Sequence, residues 1–403
     1  MAASLPNDLC ALVASSLSRK DNARARSTCS RWRAGVPPPP PYRELEHRGY
    51  EGATGATAWS SDGERVAAII GSHEVVVYET ASARLACSVN VTRGTVFAAS
   101  FARNSDLVLL GLSDSVRVSV FAPDGRPLGA FLLNDPEVYP LSLLVVSASF
   151  SRDATALVLT FVNGDEVPPP DVRNRLCWLQ LDPATHRPTH VRHVDVRAAV
   201  GSDEIYTPLA ALSPDGSKLA ALSNGSARLG WRAVTVTDTL TSRRVFESVA
   251  NGNEHHFGLL SWDETSTKIA FVEDGGAVFV IDLSPGGGVC VRHLQNNPHK
   301  VVVSCAWSLD RLVLSGRPRS LDDPITFLRR REVPLVVVDG RTGAFVKEIS
   351  LPRATRGEGE VERHGWCLKH VSPAPDGRAV LGFEVHTWRP PRPSPPMLRL
   401  LNV

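Results

Sequence analysis

The chain has 403 residues, enough for a large core and for more than one domain. Its formal net charge is +2, from 44 basic and 42 acidic residues, a balance that calls for neither nucleic acid nor an anionic membrane as partner. The seven Cys are odd in number and scattered, with no Cys-x-x-Cys pair, which predicts reduced thiols in a reducing compartment. No apolar run approaches the ~20 residues of a membrane helix, and Met1–Ser4 lacks the pattern of a secretory leader. The expected location is the cytosol or nucleus.

The first element is the stretch Leu5–Arg33. Leu9, Val13 and Leu17 recur every four residues, which predicts a helix with one apolar stripe, capped by Asn7 just after Pro6. Asp21 caps a second helix in which Ala25, Cys29 and Trp32 share a face. Two helices of this size bury too little apolar surface to stand alone, so they need the rest of the chain or another protein.

The order Leu5-Pro6, Leu9, Val13, Leu17, Asp21, Cys29, Trp32-Arg33, at these gaps and without an insertion, resembles an F-box. That family docks onto the Skp-type adaptor of SCF ubiquitin ligases, and through the adaptor onto a cullin. The resemblance implies that Leu5, Pro6, Leu9, Val13 and Leu17 contact the adaptor. It also implies that Asp21, Cys29 and Trp32 hold the helix pair together. The alternative is an amphipathic pair that packs only on the chain's own body.

Pro37–Pro41 is a run of five prolines, a short stiff polyproline spacer. It divides a helical domain at 1–36 from a second domain at 42–403. In the second domain the chain repeats. Each unit has an apolar stretch, a Ser-x-Asp-Gly-like turn and three more apolar stretches. The anchors are Asp62, Asn104, Asp153, Asp215, Thr265, Asp310 and Asp376, with the copies at Asn104 and Thr265 degenerate. Short runs such as Val66–Ile70, Val75–Tyr78, Val278–Ile281 and Leu335–Val338 are rich in Val and Ile, as buried strands are. Asp-Gly supplies the tight turn between the first two strands. Four strands in about 40–45 residues is the arithmetic of a propeller blade.

This half resembles a WD40-type β-propeller. The expected fold class is therefore a small all-α, F-box-like helix pair followed by an all-β, seven-bladed WD40-like propeller. The last repeat ends at Leu398–Val403 without a fourth strand, and an open blade would leave an unpaired edge. Tyr42–His47 is expected to supply that strand and close the ring.

Long inserts between second and third strands are expected at Val162–Arg175, Gly316–Pro334 and His386–Pro396. Long inter-blade loops are expected at Asn134–Leu141, Asp195–Thr207 and Arg353–Gly365. All should open on one face, where loops are tolerated and partners bind. Arg317, Arg319, Arg329, Arg330, Arg331, Arg353, Arg356 and Arg389 lie on these segments with Phe327 and Trp388. Arginine pairs with carboxylate or phosphate through two parallel hydrogen bonds, so this face fits an acidic or phosphorylated segment of a target protein. Interleaved Asp322, Asp323, Glu332, Glu358, Glu360 and Glu362 make a solvated mixed-charge rim the competing reading.

Signals for catalysis are missing. His190 and His193 fall on opposite faces of an extended segment and do not converge on a metal with His186. His255-His256 has no partners. There is no Gly-x-Ser-x-Gly elbow and no phosphate-binding glycine loop. The expectation is no cofactor, no metal and no enzymatic activity. The chain then reads as a substrate receptor of an SCF-type ligase, or as a propeller scaffold without adaptor docking. Least favoured is an enzyme with its site in the propeller channel.

Overall fold

A computed structural model describes residues 42–45, 57–70, 73–91, 94–112, 115–133, 143–163, 175–195, 206–224, 231–251, 259–272, 277–284, 290–294, 299–318, 332–352, 366–375, 379–386 and 397–402. They form seven four-stranded antiparallel sheets. Blades one to six are consecutive meanders over 57–90, 95–132, 143–195, 206–251, 259–293 and 299–352. Blade seven takes three strands from 366–402, and its fourth, outermost strand is Tyr42–Glu44. There Tyr42 lies opposite Leu401, Arg43 opposite Leu400 and Glu44 opposite Arg399. The innermost strands of successive blades pack on one another around the ring, and blade seven meets blade one.

The mixed fold class is corrected by this structure. Every described element is a strand and none is a helix, so the described chain is all-β. Leu5–Arg33 and the proline run lie outside the described residues.

The strands are apolar on both faces because each blade is sandwiched between two others. Arg65–Ile70 shows how period-two alternation serves two interfaces at once. Val66, Ala68 and Ile70 pack with Trp59, Tyr78, Leu45 and Ala374, on the side of blade seven. Ala67 and Ile69 pack with Phe101, Leu107 and Leu109 of blade two. Leu45, next to the closing strand, is therefore a core residue.

The anchor turns of blades one, three, four and five are stapled by side chains. In blades one, three and four a serine hydroxyl accepts the amide five residues on. The bonds are Arg65 N to Ser60 Oγ, Ala156 N to Ser151 Oγ and Lys218 N to Ser213 Oγ, each 2.9 Å. The same hydroxyl donates to the anchor aspartate: Ser60 to Asp62 at 2.6 Å, Ser151 to Asp153 at 3.1 Å, Ser213 to Asp215 at 2.6 Å. Blade five exchanges the roles. Asp263 accepts the Lys268 amide at 2.7 Å, and Thr265 donates its hydroxyl back to Asp263 at 2.5 Å. The copy that reads as degenerate keeps the staple with donor and acceptor swapped.

Insert boundaries shift inward. The strands Ala156–Asn163 and Arg175–Leu181 leave 164–174 between them, and Arg311–Pro318 and Glu332–Asp339 leave 319–331. Pro334 lies inside a strand. There it lies opposite Ser350 of the outer strand and one residue beyond Leu335, where the ladder to the second strand ends.

Candidate functional site

Where the innermost strands run into the anchor turns, they leave a cavity of about 300 Å³ around the ring axis. Its wall includes Trp59, Ser100, Phe150, Arg152, Leu212, Pro214, Trp262, Glu264, Ser372 and Pro375. The middle residue of the anchor turn lines this mouth in blades three, four, five and seven, as Arg152, Pro214, Glu264 and Pro375.

Arg152 crosses the axis. Its Nη1 meets the Glu264 carboxylate of blade five, and its Nη2 donates to the Ser61 carbonyl of blade one at 3.1 Å. Its backbone N–H donates to the Pro214 carbonyl of blade four at 2.9 Å. Its carbonyl also accepts from Ser100 Oγ of blade two at 3.4 Å, so one residue of blade three touches four other blades. The side chains are 30% and 24% exposed, so the pair faces solvent only in part. Burial pushes the Glu264 carboxyl up, and the Arg152 guanidinium offsets only part of that rise.

Aromatic residues tie the wall together between blades. Trp59 Nε1 donates to Ser372 at the carbonyl, 3.2 Å, and the hydroxyl, 3.1 Å. Trp262 Nε1 donates to the Ala211 carbonyl at 3.0 Å. Ser100 Oγ donates to the Ser151 carbonyl at 3.1 Å. Chemically this is a rigid mouth with one cation, one anion and apolar walls. Arg152 and Glu264 are the only ionisable residues lining it among those described. It has the makings of a recognition surface.

The sequence-predicted residues fall elsewhere. Leu5, Pro6, Leu9, Val13, Leu17, Asp21, Cys29 and Trp32 lie outside the described residues. So do Arg319, Phe327, Arg329, Arg330, Arg331, Arg353, Arg356, Trp388 and Arg389. Arg317 lies on the strand Arg311–Pro318, with its backbone opposite Val301. His190 and His193 are exposed on the outer strand of blade three, opposite Gln180 and Cys177. His186 is buried in the preceding turn. Among the described residues no three His, Cys, Asp or Glu gather to hold a metal. Arg152 and Glu264 were legible only as the middle residues of two anchor turns.

No family model matches the chain, and no curated protein matches it. Solved propellers do. The β-propeller domain of Cps50 (Swd1) from Myceliophteria thermophila superposes with a TM-score of 0.60 at 10% identity, covering 90% of this chain and 99% of that one. Hydrazine synthase from Kuenenia stuttgartiensis superposes with a TM-score of 0.51 at 14% identity, covering 83% and 94%. At such identities the likeness is one of fold: this chain carries a β-propeller.

Proposed function

We propose that this chain is a non-catalytic recognition propeller that serves an SCF-type ubiquitin ligase as substrate receptor. The observation that carries the reading is the order Leu5-Pro6, Leu9, Val13, Leu17, Asp21, Cys29, Trp32-Arg33 ahead of a propeller. Leu5, Pro6, Leu9, Val13 and Leu17 take the Skp-type adaptor, which brings the cullin. The propeller holds a target protein by the face that bears the Arg-rich inserts, an acidic or phosphorylated segment fitting it best. The contribution to catalysis by the ligase is positioning: a held target presents its lysines at high effective concentration.

Co-expression with a Skp-type adaptor tests this reading. The wild-type chain should co-purify with the adaptor, and Leu9→Asp/Val13→Asp should not, because unpaired charge is costly in an apolar contact. Failure of the folded wild type to capture the adaptor leaves a propeller scaffold, with the axial mouth as its best-formed recognition site.

A further inference from the structure

Lysine is rare in this chain: there are six, against 38 arginines. An arginine stays protonated and does not attack an acyl donor, whereas a lysine amine does so once it has lost its proton. Amines able to take an acyl group are therefore few. The described side chains include three of them, Lys218, Lys268 and Lys347.

Two of the three are engaged. Lys218 Nζ donates to the Ser266 carbonyl of blade five at 3.1 Å and to the Ser217 hydroxyl at 3.4 Å. Lys268 Nζ lies 3.4 Å from the Asp310 carboxylate of blade six and 5.8 Å from the centre of the Trp307 ring. Contacts of this kind favour the charged amine, which is no nucleophile.

Lys347 is placed differently. It sits on Phe345–Pro352, the outermost strand of blade six. It has no hydrogen bond or ion pair among the described residues. Lys347 lies opposite Val337, and Val337 opposite Val313. Cross-strand partners share a sheet face, and so do residues two apart, so Lys347 shares its face with Val337, Val313, Ile349 and Arg311. Val337, Val313 and Ile349 are buried and Arg311 is exposed. The lysine thus has aliphatic neighbours and a second cation on its own face. Asp339 is on this face too, but its carboxylate is taken by the turn, where it accepts from Arg341 N, Thr342 N and Thr342 Oγ1 at 3.0, 2.7 and 2.8 Å. Partial burial, and after it the Arg311 cation, hold the Lys347 pKa below the usual lysine value. A desolvated stem and a neighbouring cation are two conditions that turn a lysine into a nucleophile.

We infer that Lys347, set among aliphatic side chains beside Arg311, is the nucleophilic amine of the ring and its site of acylation by a thioester. The amine nitrogen attacks the thioester carbonyl, an amide C–N bond forms and the C–S bond breaks. The amine proton leaves with the departing thiolate as a thiol, and nothing is oxidised or reduced. Two donors share this chemistry, a small acyl thioester and ubiquitin carried as a thioester. The site stands without adaptor docking; only the ubiquitin source rests on the ligase reading.

The test incubates the full chain with acetyl-coenzyme A and follows acetylation at each lysine by mass spectrometry. Lys347 should react at least about threefold faster than any other lysine. Arg311→Gln, a change at an exposed position, should slow Lys347 about twofold or more and leave the other lysines unchanged. Lys347→Arg should melt like wild type and lose the fast reaction. Equal rates at all six lysines, a faster one elsewhere, or a Lys347 rate untouched by Arg311→Gln would overturn the inference. A second arm offers a ubiquitin-charged conjugating enzyme with adaptor and cullin present. Ubiquitin on Lys347 identifies the donor; acetylation without ubiquitin transfer keeps the site and assigns it a small acyl donor, which separates this result from the ligase reading.

Discussion

A Cβ placed on Gly340 would lie 2.3 Å from Cζ3 of Trp307 and 2.8 Å from the Asp310 carbonyl oxygen. Trp307 is among the largest fully buried side chains, so neither neighbour yields easily. Gly340→Ala should lower stability by about 1–3 kcal/mol, the usual cost of overpacking. Urea unfolding followed by tryptophan fluorescence reads it, and an unchanged midpoint would refute the contact. His186 behaves differently. It sits in the left-handed region at φ 56°, it is buried, and its Nδ1 has no partner among the described residues. Burial holds its pKa below the usual value, although the Asp106 and Asp182 carboxylates pull it up. The unfolded chain therefore takes the proton first, so the contribution of His186 to stability is present above pH ~6.5 and is lost as pH falls below it. In His186→Asn, which keeps a residue that tolerates the left-handed region, the drop in Tm between pH 7.5 and 5.5 should shrink. An equal drop in both proteins would contradict the assignment.

The element that matters most is the shortest. Tyr42–Glu44 covers the outer edge of blade seven, and Leu45 beside it packs on Trp59, Ile70 and Tyr78 of blade one. Leu45→Ala should cost about 2–5 kcal/mol, and deletion of 42–45 should lower Tm much further, because it also opens the ring. A deletion variant that melts like wild type would show that the ring does not need this strand. Much of this architecture can be read from sequence at the anchor turns, because Asp-Gly and Ser-x-Asp act within five residues. Gly63 and Gly216 adopt φ of 71° and 72° there. The misreadings have local causes. Thr265 looks like a lost aspartate only if donor and acceptor are assumed fixed, whereas Asp263 accepts in its place. Pro334 looks like loop because its neighbour across the ladder is not visible in sequence. The Arg152–Glu264 pair could not be read at all. Its members lie on blades three and five, and only ring closure aims both at the axis.

At the scale of the molecule, the described ring offers the axial mouth as a formed surface. A receptor needs a rigid body of this kind, since a target is presented to a distant transfer site only if the connection does not bend freely. Pro37–Pro41 would supply the stiff joint between the F-box-like segment and the ring. The most direct test of the receptor reading is a calorimetric titration of the purified full chain with a purified Skp-type adaptor–cullin complex, beside Leu9→Asp/Val13→Asp. The account predicts saturable one-to-one binding by the wild type and at least a hundredfold loss in the variant, with both proteins melting alike. No binding by a well-folded wild type, or equal binding by both, would contradict it.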